Sequence, residues 1–479
     1  MLEVTEIDIA ERMRLDNLWF APEIVDPVAA WPKRHYFAGF LRLVKDVKTR
    51  RAVVLMGPRR VGKTIMLQQA AWKLIDGGVS PYAVLYLALD TPVYNRIPLE
   101  RLIAIYREHF APDKGPLYIF FDEIQYLKDW EVHLKSLVDT HKDIKFVASG
   151  SAAAALKTKS AESGAGRFTD FLLPPLTFAE FMKFSDGLES LIQINPNTDN
   201  LVTASDIQAV NRAFVDYLNY GGYPELVINR HLQANIQRYA GADIVDKVLL
   251  RDLPSLYGIS DIPELNSLFM SLAYNTGHEL SLEGLSQSSQ LAKNTLKRYI
   301  EYLEAAFLIR KVERIDVNAR RFQRATSFKV YLTNPCMRAS LFGPLNPDDT
   351  ALGAIAETAI YSQWFHAQEV NQMRYARWDR GEVDLVYLNK AMQQPDWAVE
   401  VKWSDRYYNR PSELGALLEF ARKNKSITDG VLATTLTSFG RRRSGGVEVR
   451  FQPTALYCYE VGVNVVAALE ERDQLDLLS

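Results

Sequence analysis

Cysteine is scarce in this chain: only Cys336 and Cys458 occur in 479 residues, far apart in sequence. Two such residues cannot make a zinc or iron–sulfur site alone, and their sparing use fits a reducing cytosol. A dominant charge is missing as well, because 56 Lys and Arg face 58 Asp and Glu for a net charge of −2. Any affinity for nucleic acid must therefore come from local patches. No apolar stretch reaches the roughly 20 residues that span a bilayer. The first residues, Met1-Leu2-Glu3-Val4-Thr5-Glu6-Ile7-Asp8, are acidic and carry no apolar signal core. A cytoplasmic protein without a membrane partner is expected. Hydrophobic content of 48% and charged content of 24% are ordinary for globular domains, two to four at this length.

What is present speaks more sharply. Gly57-Pro58-Arg59-Arg60-Val61-Gly62-Lys63-Thr64 fills every position of the phosphate-loop pattern G-x-x-x-x-G-K-[ST]. The apolar run Ala52–Met56 before it reads as a buried strand, and residues 65–74 after it have helical spacing. Strand, glycine loop and helix N-terminus together make an anion site. The glycines let backbone N–H groups turn inward, and the helix start adds positive potential. Lys63 is expected on the outer phosphates and Thr64 on Mg²⁺. Downstream, Leu117-Tyr118-Ile119-Phe120-Phe121-Asp122-Glu123 is an apolar strand ending in two carboxylates. Asp122 would hold the Mg²⁺ shell, and Glu123 would orient and deprotonate the attacking water. This half is expected to bind and hydrolyse ATP.

Apolar strands alternate with helices to about residue 185, the pattern of a parallel sheet covered on both faces. The strands expected are 53–56, 83–87, 117–121 and 144–148, the last running into Ser149-Gly150-Ser151. The GPRRVGKT loop, the FFDEIQ strand, the ASGSAA turn, the GAGR motif and LPPLTFAEF together resemble prokaryotic AAA+ ATPases (AAA_14-type) with a DUF4143-type C-terminal region. Gly221-Gly222-Tyr223-Pro224-Glu225 and Lys329-Val330-Tyr331-Leu332-Thr333-Asn334-Pro335 extend the likeness. The resemblance covers most of residues 35–405. It implies Ser149, or else Ser151, as a γ-phosphate sensor, and Arg167 as an arginine finger reaching a neighbouring subunit. A finger in trans implies a homo-oligomer, plausibly a ring.

Residues 205–260 read as helical. Beyond them, 281–291 and 292–304 make two helices, followed by the alternating strand Phe307–Ile315. Helix, turn, helix and hairpin resemble a winged helix. Lys293, Asn294, Thr295, Lys297 and Arg298 on its second helix suit DNA contacts, and Arg320, Arg321 and Arg324 add charge just beyond. The bland alternative is a protein-docking or spacer domain.

A second constellation lies nearer the C-terminus. Helix 354–361 carries Glu357, strand 381–387 carries Asp384, and strand 397–403 carries Glu400 and Lys402. Strand alternation turns Glu400 and Lys402 to one side, with Val399 and Val401 in the core. If the strands pair, Asp384 and Glu400 meet and offer hard oxygens to Mg²⁺ or Mn²⁺, with Lys402 steadying the activated water. The segment resembles the PD-(D/E)xK nucleases, with Val383 where that name has proline.

The expected fold is α/β: a P-loop NTPase parallel sheet, a helical lid, a winged helix, then an αβββαβ nuclease-like domain. The expected parts are 1–50 (helical), 51–200 (ATPase), 201–265 (lid), 266–345 (winged helix) and 346–479 (nuclease-like). The leading expectation is an ATP-driven machine that binds duplex or branched DNA, such as Holliday junctions, and cleaves it with a metal. The rival is a regulatory ATPase switch with an inert nuclease-like module, in defence or mobile elements.

Overall fold

Five strands whose residues are almost continuously apolar build the first sheet. A computed structural model describes residues 5–21, 27–94, 97–112, 115–150, 166–194, 202–320, 327–427 and 430–476. The strands are β1 (Ala52–Met56), β2 (Val84–Ala88), β3 (Leu117–Asp122), β4 (Ile144–Gly150) and β5 (Phe168–Leu172). All neighbours are parallel, in the order β2-β3-β4-β1-β5. Every residue of β1, β3 and β4 is buried, as a sheet covered on both faces requires. The four strands expected from sequence lie within two residues of their observed bounds. β5, at the sheet edge, was not expected.

The N-terminal segment is helical at Glu6–Asp16 and Phe37–Lys45. A capping box holds the first of these, with Thr5 and Asp8 bonded reciprocally.

The chain divides into two units, residues 1–174 with 470–479, and residues 175–469. The segments expected as lid, winged helix and most of the nuclease-like part therefore lie in one unit, which also takes in residues 175–194. The lid region is helical at Ile207–Tyr220 and Pro224–Ile228, then winds with π-type pitch over Gln237–Asp246 and Val248–Asp252. A short antiparallel pair, β6 (Ile192–Ile194) and β7 (Val202–Ala204), precedes it.

A nine-stranded sheet dominates this second unit. Its first three strands are β8 (Glu279–Ser281), β9 (Ile309–Ile315) and β10 (Ser327–Leu332). They are interleaved with helices Ile262–Tyr274, Leu282–Ser289 and Lys293–Ala305. Next come helix Leu352–Gln363, then β11 (Met373–Trp378), β12 (Gly381–Leu388) and β13 (Pro395–Glu400) as an antiparallel run. Helix Gly415–Lys423 leads to β14 (Val431–Thr435), parallel to β13. The hairpin β15 (Gly440–Ser444) and β16 (Val447–Pro453) completes the order β15-β16-β14-β13-β12-β11-β9-β10-β8. One join in this sheet is thin. β9 meets β11 through only two residue pairs, Tyr375 with Arg314 and Ala376 with Ile315.

Candidate nucleotide and carboxylate sites

Strand order brings the tips of β3, β4 and β1 side by side, so residues distant in sequence converge where these strands end. Gly57 leaves β1 so close to the β5 exit that a Cβ there would lie 2.1 Å from the Leu173 carbonyl oxygen. Gly62, with φ of 96°, occupies the left-handed region and starts helix Lys63–Asp76 without a side-chain cap. A helix that opens this way suits an anion at its N-terminus. Pro58 and Val61 are buried in the loop, and Arg59 and Arg60 are half-buried. The buried Lys63 ammonium donates to the carbonyls of Gly57 (3.0 Å) and Pro58 (2.8 Å), spanning the loop a phosphate would fill.

The Asp122 carboxylate is the centre of the polar network. It accepts from Thr64 Oγ1 at 2.7 Å, from the Tyr86 hydroxyl at 2.7 Å and from Ser149 Oγ. Thr64 and Asp122 are thus already together where Mg²⁺ would need both. Glu123 stands at φ 54°, an unusual conformation for a non-glycine residue, and its N–H donates to Asp122 Oδ1 and Ser149 Oγ, both at 3.1 Å. Its carboxylate accepts from Gln125.

Two participants escaped the sequence reading. Tyr86, on β2, has its hydroxyl pKa pushed well above the ordinary value by burial and by the Asp122 charge. A tyrosine inside the apolar run Val84–Ala88 was the available signal. Arg34 bonds the Val61 carbonyl at 2.7 Å and the Pro174 carbonyl at 2.9 Å, tying the N-terminal segment to the loop.

Arg167 lies elsewhere. Its carbonyl accepts from Ala52 N–H at the start of β1, about 13 Å of strand away from the loop, and its guanidinium pairs with Asp139. Within its own chain it is not part of the phosphate site. Ser151, and Gly164 and Ala165 of the GAGR motif, lie outside the described residues.

In the second unit the antiparallel register pairs Leu385 with Val399, which sets Asp384 opposite Glu400. Val399 and Val401 are buried among Ile355 and Ala359, while Glu400 and Lys402 pair at 2.7 Å on the other side. Asp384 Oδ2 accepts the Val401 N–H at 2.9 Å. The Lys402 backbone is pinned by Thr434, whose hydroxyl receives its N–H at 2.7 Å and donates to its carbonyl at 3.0 Å. Glu357, on helix Leu352–Gln363, accepts from Tyr331 OH at 2.5 Å.

Lys329 was quoted from the sequence only as part of a resemblance, yet it sits at the heart of this cluster. Its ammonium, 1% exposed, lies 2.9 Å from Glu357, 2.7 Å from Glu382 and 3.5 Å from Asp384. Strands β10 and β12 are not neighbours in the sheet, so these side chains meet across the two intervening strands β9 and β11. The missed signal was a lysine between Phe328 and Val330: a charge inside an apolar strand needs partners. Glu382, two residues before Asp384 on the same strand face, was the corresponding signal on β12.

Burial and then the neighbouring Asp384 charge push the carboxyl pKa values of Glu357 and Glu400 up. Burial works against the charge of Lys402, but Asp384 and Glu400 outweigh it and its pKa rises. Lys329 likewise stays well above its ordinary value, burial being overcome by Glu357, Tyr331, Asp384 and Glu382.

Among the described residues, no group of three or more His, Cys, Asp or Glu side chains is arranged to hold a metal. Lys329 and Lys402 pair with Glu357, Glu382, Asp384 and one Glu400 oxygen. Glu400 Oε2 remains buried without a hydrogen-bond partner. An orphaned carboxylate oxygen beside Asp384 fits a cation, so Asp384 and Glu400 are the residues that would hold one.

Of the residues expected to touch DNA, Lys293, Asn294, Lys297, Arg298 and Arg320 are exposed and Thr295 is half-buried. Lys293 pairs with Glu283. Arg321 and Arg324 lie outside the described residues. Among the described residues no helix is long and apolar enough to cross a membrane.

Comparison with known proteins agrees with the first site. Residues 49–182 match the family model of an AAA domain, AAA_14, and residues 211–348 match DUF8612, a domain of unknown function. The DUF4143-type likeness and the nuclease likeness thus remain resemblances. An uncharacterized protein of Haemophilus influenzae is 26% identical over 60% of this chain and 69% of its own length. An uncharacterized protein of Methanocaldococcus jannaschii is 25% identical over 71% and 74%. Among solved structures, Cdc6p from Pyrobaculum aerophilum (14% identity, 72% of this chain and 98% of that one) and a RuvB variant from Thermotoga maritima (14%, 58% and 90%) each give a TM-score of 0.29, too low to carry an argument. An AAA domain of this kind implies a nucleotide with Mg²⁺ as its ligands. With the phosphate loop, the Asp122 network and the parallel sheet in place, the N-terminal unit is an AAA+ ATPase-type domain with the P-loop NTPase fold.

Proposed function

We propose that the chain couples ATP hydrolysis in its first unit to metal-dependent cleavage of DNA by its second. The observation that carries the second half is the Asp384–Glu400–Lys402 arrangement with its orphaned Glu400 oxygen. A bound Mg²⁺ or Mn²⁺ would polarise a phosphodiester and acidify a water. Asp384 and Glu400 would hold that ion. Lys402, backbone-fixed by Thr434, would orient the water and offset the negative charge that builds on the phosphoryl oxygens as the sugar oxygen leaves. In the first unit Lys63 would leave the loop carbonyls for phosphate oxygens, Thr64 and Asp122 would hold Mg²⁺, Ser149 would sense the γ-phosphate, and Glu123 would activate water.

The helix–strand–helix–helix–hairpin order over 262–332 supports reading that segment as a winged helix, with Lys293, Asn294, Thr295, Lys297, Arg298 and Arg320 on DNA phosphates and bases. Because Arg167 is remote from its own loop, a finger role requires a second copy of the chain, so a homo-oligomer belongs to this reading. Arg167→Ala should then cut ATP turnover by about 10³-fold or more, with nucleotide affinity kept. Full turnover by a monomer would remove the finger.

A second reading has its own support: ammonium groups already fill most of the carboxylate cluster, as they would in an inert module of a regulatory ATPase switch. Incubating linear, single-stranded and four-way-junction DNA with Mg²⁺ or Mn²⁺ separates the two. Cleavage by wild type and none by Asp384→Ala supports the nuclease. Intact DNA in every case assigns the protein to the switch.

A further inference from the structure

We infer that the Lys329 ammonium is a built-in cation that restricts the carboxylate cluster to a single divalent ion. This rests on the metal-site reading given above and adds to it which cation position is closed. Two-metal phosphodiester chemistry places its ions about 3.5–4 Å apart, each needing its own oxygens. Two sets of oxygens exist here. One is the Asp384–Glu400 pair with its orphaned oxygen. The other is Glu357, Glu382 and Asp384, and Lys329 Nζ lies 2.7–3.5 Å from all three. A second ion there would have to occupy the point the ammonium holds.

Displacing the lysine is not a simple side-chain swing. Lys329 is 1% exposed and comes from the middle of β10, which is bonded on both sides by β8 and β9. The Tyr375 ring lies 5.5 Å from the ammonium. Moving a buried ammonium off three carboxylates would leave uncompensated charge on both sides. The lysine therefore does part of a metal's electrostatic work permanently, with no need of a free ion. It is a positioning residue, because it orders Glu357, Glu382 and Asp384 rather than touching a substrate.

The test is a count of bound Mn²⁺ by electron paramagnetic resonance and calorimetry, on the full chain without nucleotide. Asp122→Asn is included throughout to silence the ATPase site. The expected result is one ion per chain with Lys329 present and two in Lys329→Met. Adding Glu357→Gln to Lys329→Met should return the count to one. A purely structural lysine would alter melting temperature but not stoichiometry. Lys329→Gln is the second variant, and circular dichroism shows which variants fold. Two ions with Lys329 in place, or one ion in a folded Lys329→Met or Lys329→Gln, would overturn the inference while sparing the nuclease reading. No ion at all with Lys329 present would remove both. If neither variant folds, the count with Lys329 intact decides: one ion up to millimolar Mn²⁺ supports the inference and two refute it.

Discussion

The two sites solve opposite problems. The nucleotide site binds an anion with backbone geometry at strand tips, so most of it is one unbroken stretch, residues 57–64, plus Asp122, Glu123 and Ser149. The carboxylate site gathers anions of its own, Glu357, Glu382, Asp384 and Glu400, and must neutralise them in a buried place with Lys329 and Lys402. In the first, glycine conformation and one helix N-terminus do the work, and a single displaced residue matters locally. In the second, every charge is held by the others, so removal of one disturbs all. A loop of backbone donors is robust and recognisable, whereas a charge constellation exists only once distant strands have come together.

That contrast can be broken most directly at Asp384. Asp384→Ala should reduce DNA cleavage to background while leaving ATP turnover unchanged, as gel assays and phosphate release would measure. Loss of both activities would mean the sites are not separable. The converse change, Glu123→Gln, should slow ATP turnover by about 10²–10⁴-fold with nucleotide still bound, because the lost group acts as base only during reaction. Equal turnover by wild type and variant would dismiss Glu123.

A smaller effect sharpens the comparison thermodynamically. In the Asp122→Asn background, Mn²⁺ at about 100 times its Kd should stabilise the protein by about 2.7 kcal/mol if it binds only the folded state. Thermal melts should show that gain vanish in Glu400→Gln, where the orphaned oxygen has become an amide. The smallest expected change is Ser149→Ala, which removes one donor to Asp122 and should cost on the order of 1 kcal/mol of stability. A denaturant titration checks it, and a neutral result would mean that Thr64 and Tyr86 suffice for Asp122.

Much of the first sheet was legible because parallel strands buried on both faces write themselves as apolar runs. β5 was not, since an edge strand holding Thr169 and Asp170 lacks that run and pairs with β1 only in space. Asp384, Glu400 and Lys402 were visible as charges inside apolar strands. Lys329 carried the same mark, but its partners lie 28 and 55 residues away, and nothing local names them. The division at residue 175 was hidden for a similar reason: LPPLTFAEF reads as one phrase, although Leu173 and Pro174 belong to one unit and the residues from Pro175 onward to the other. The helices expected over 282–304 do form, yet sequence could not show that Lys293 spends its charge on Glu283.

The β9–β11 join has a practical bearing on how this chain can be cut. Two residue pairs are a thin ladder, and the loop after helix Cys336–Phe342 looks like a natural place to separate the DUF8612 segment from the strands beyond it. Each fragment would then expose a bare strand edge, β9 on one side and β11 on the other, while Lys329 and its carboxylates would be left as buried charges without partners. Open edges invite pairing with other chains. Expressed apart, these pieces should clump, and what motif boundaries present as two modules behaves as one indivisible piece of protein.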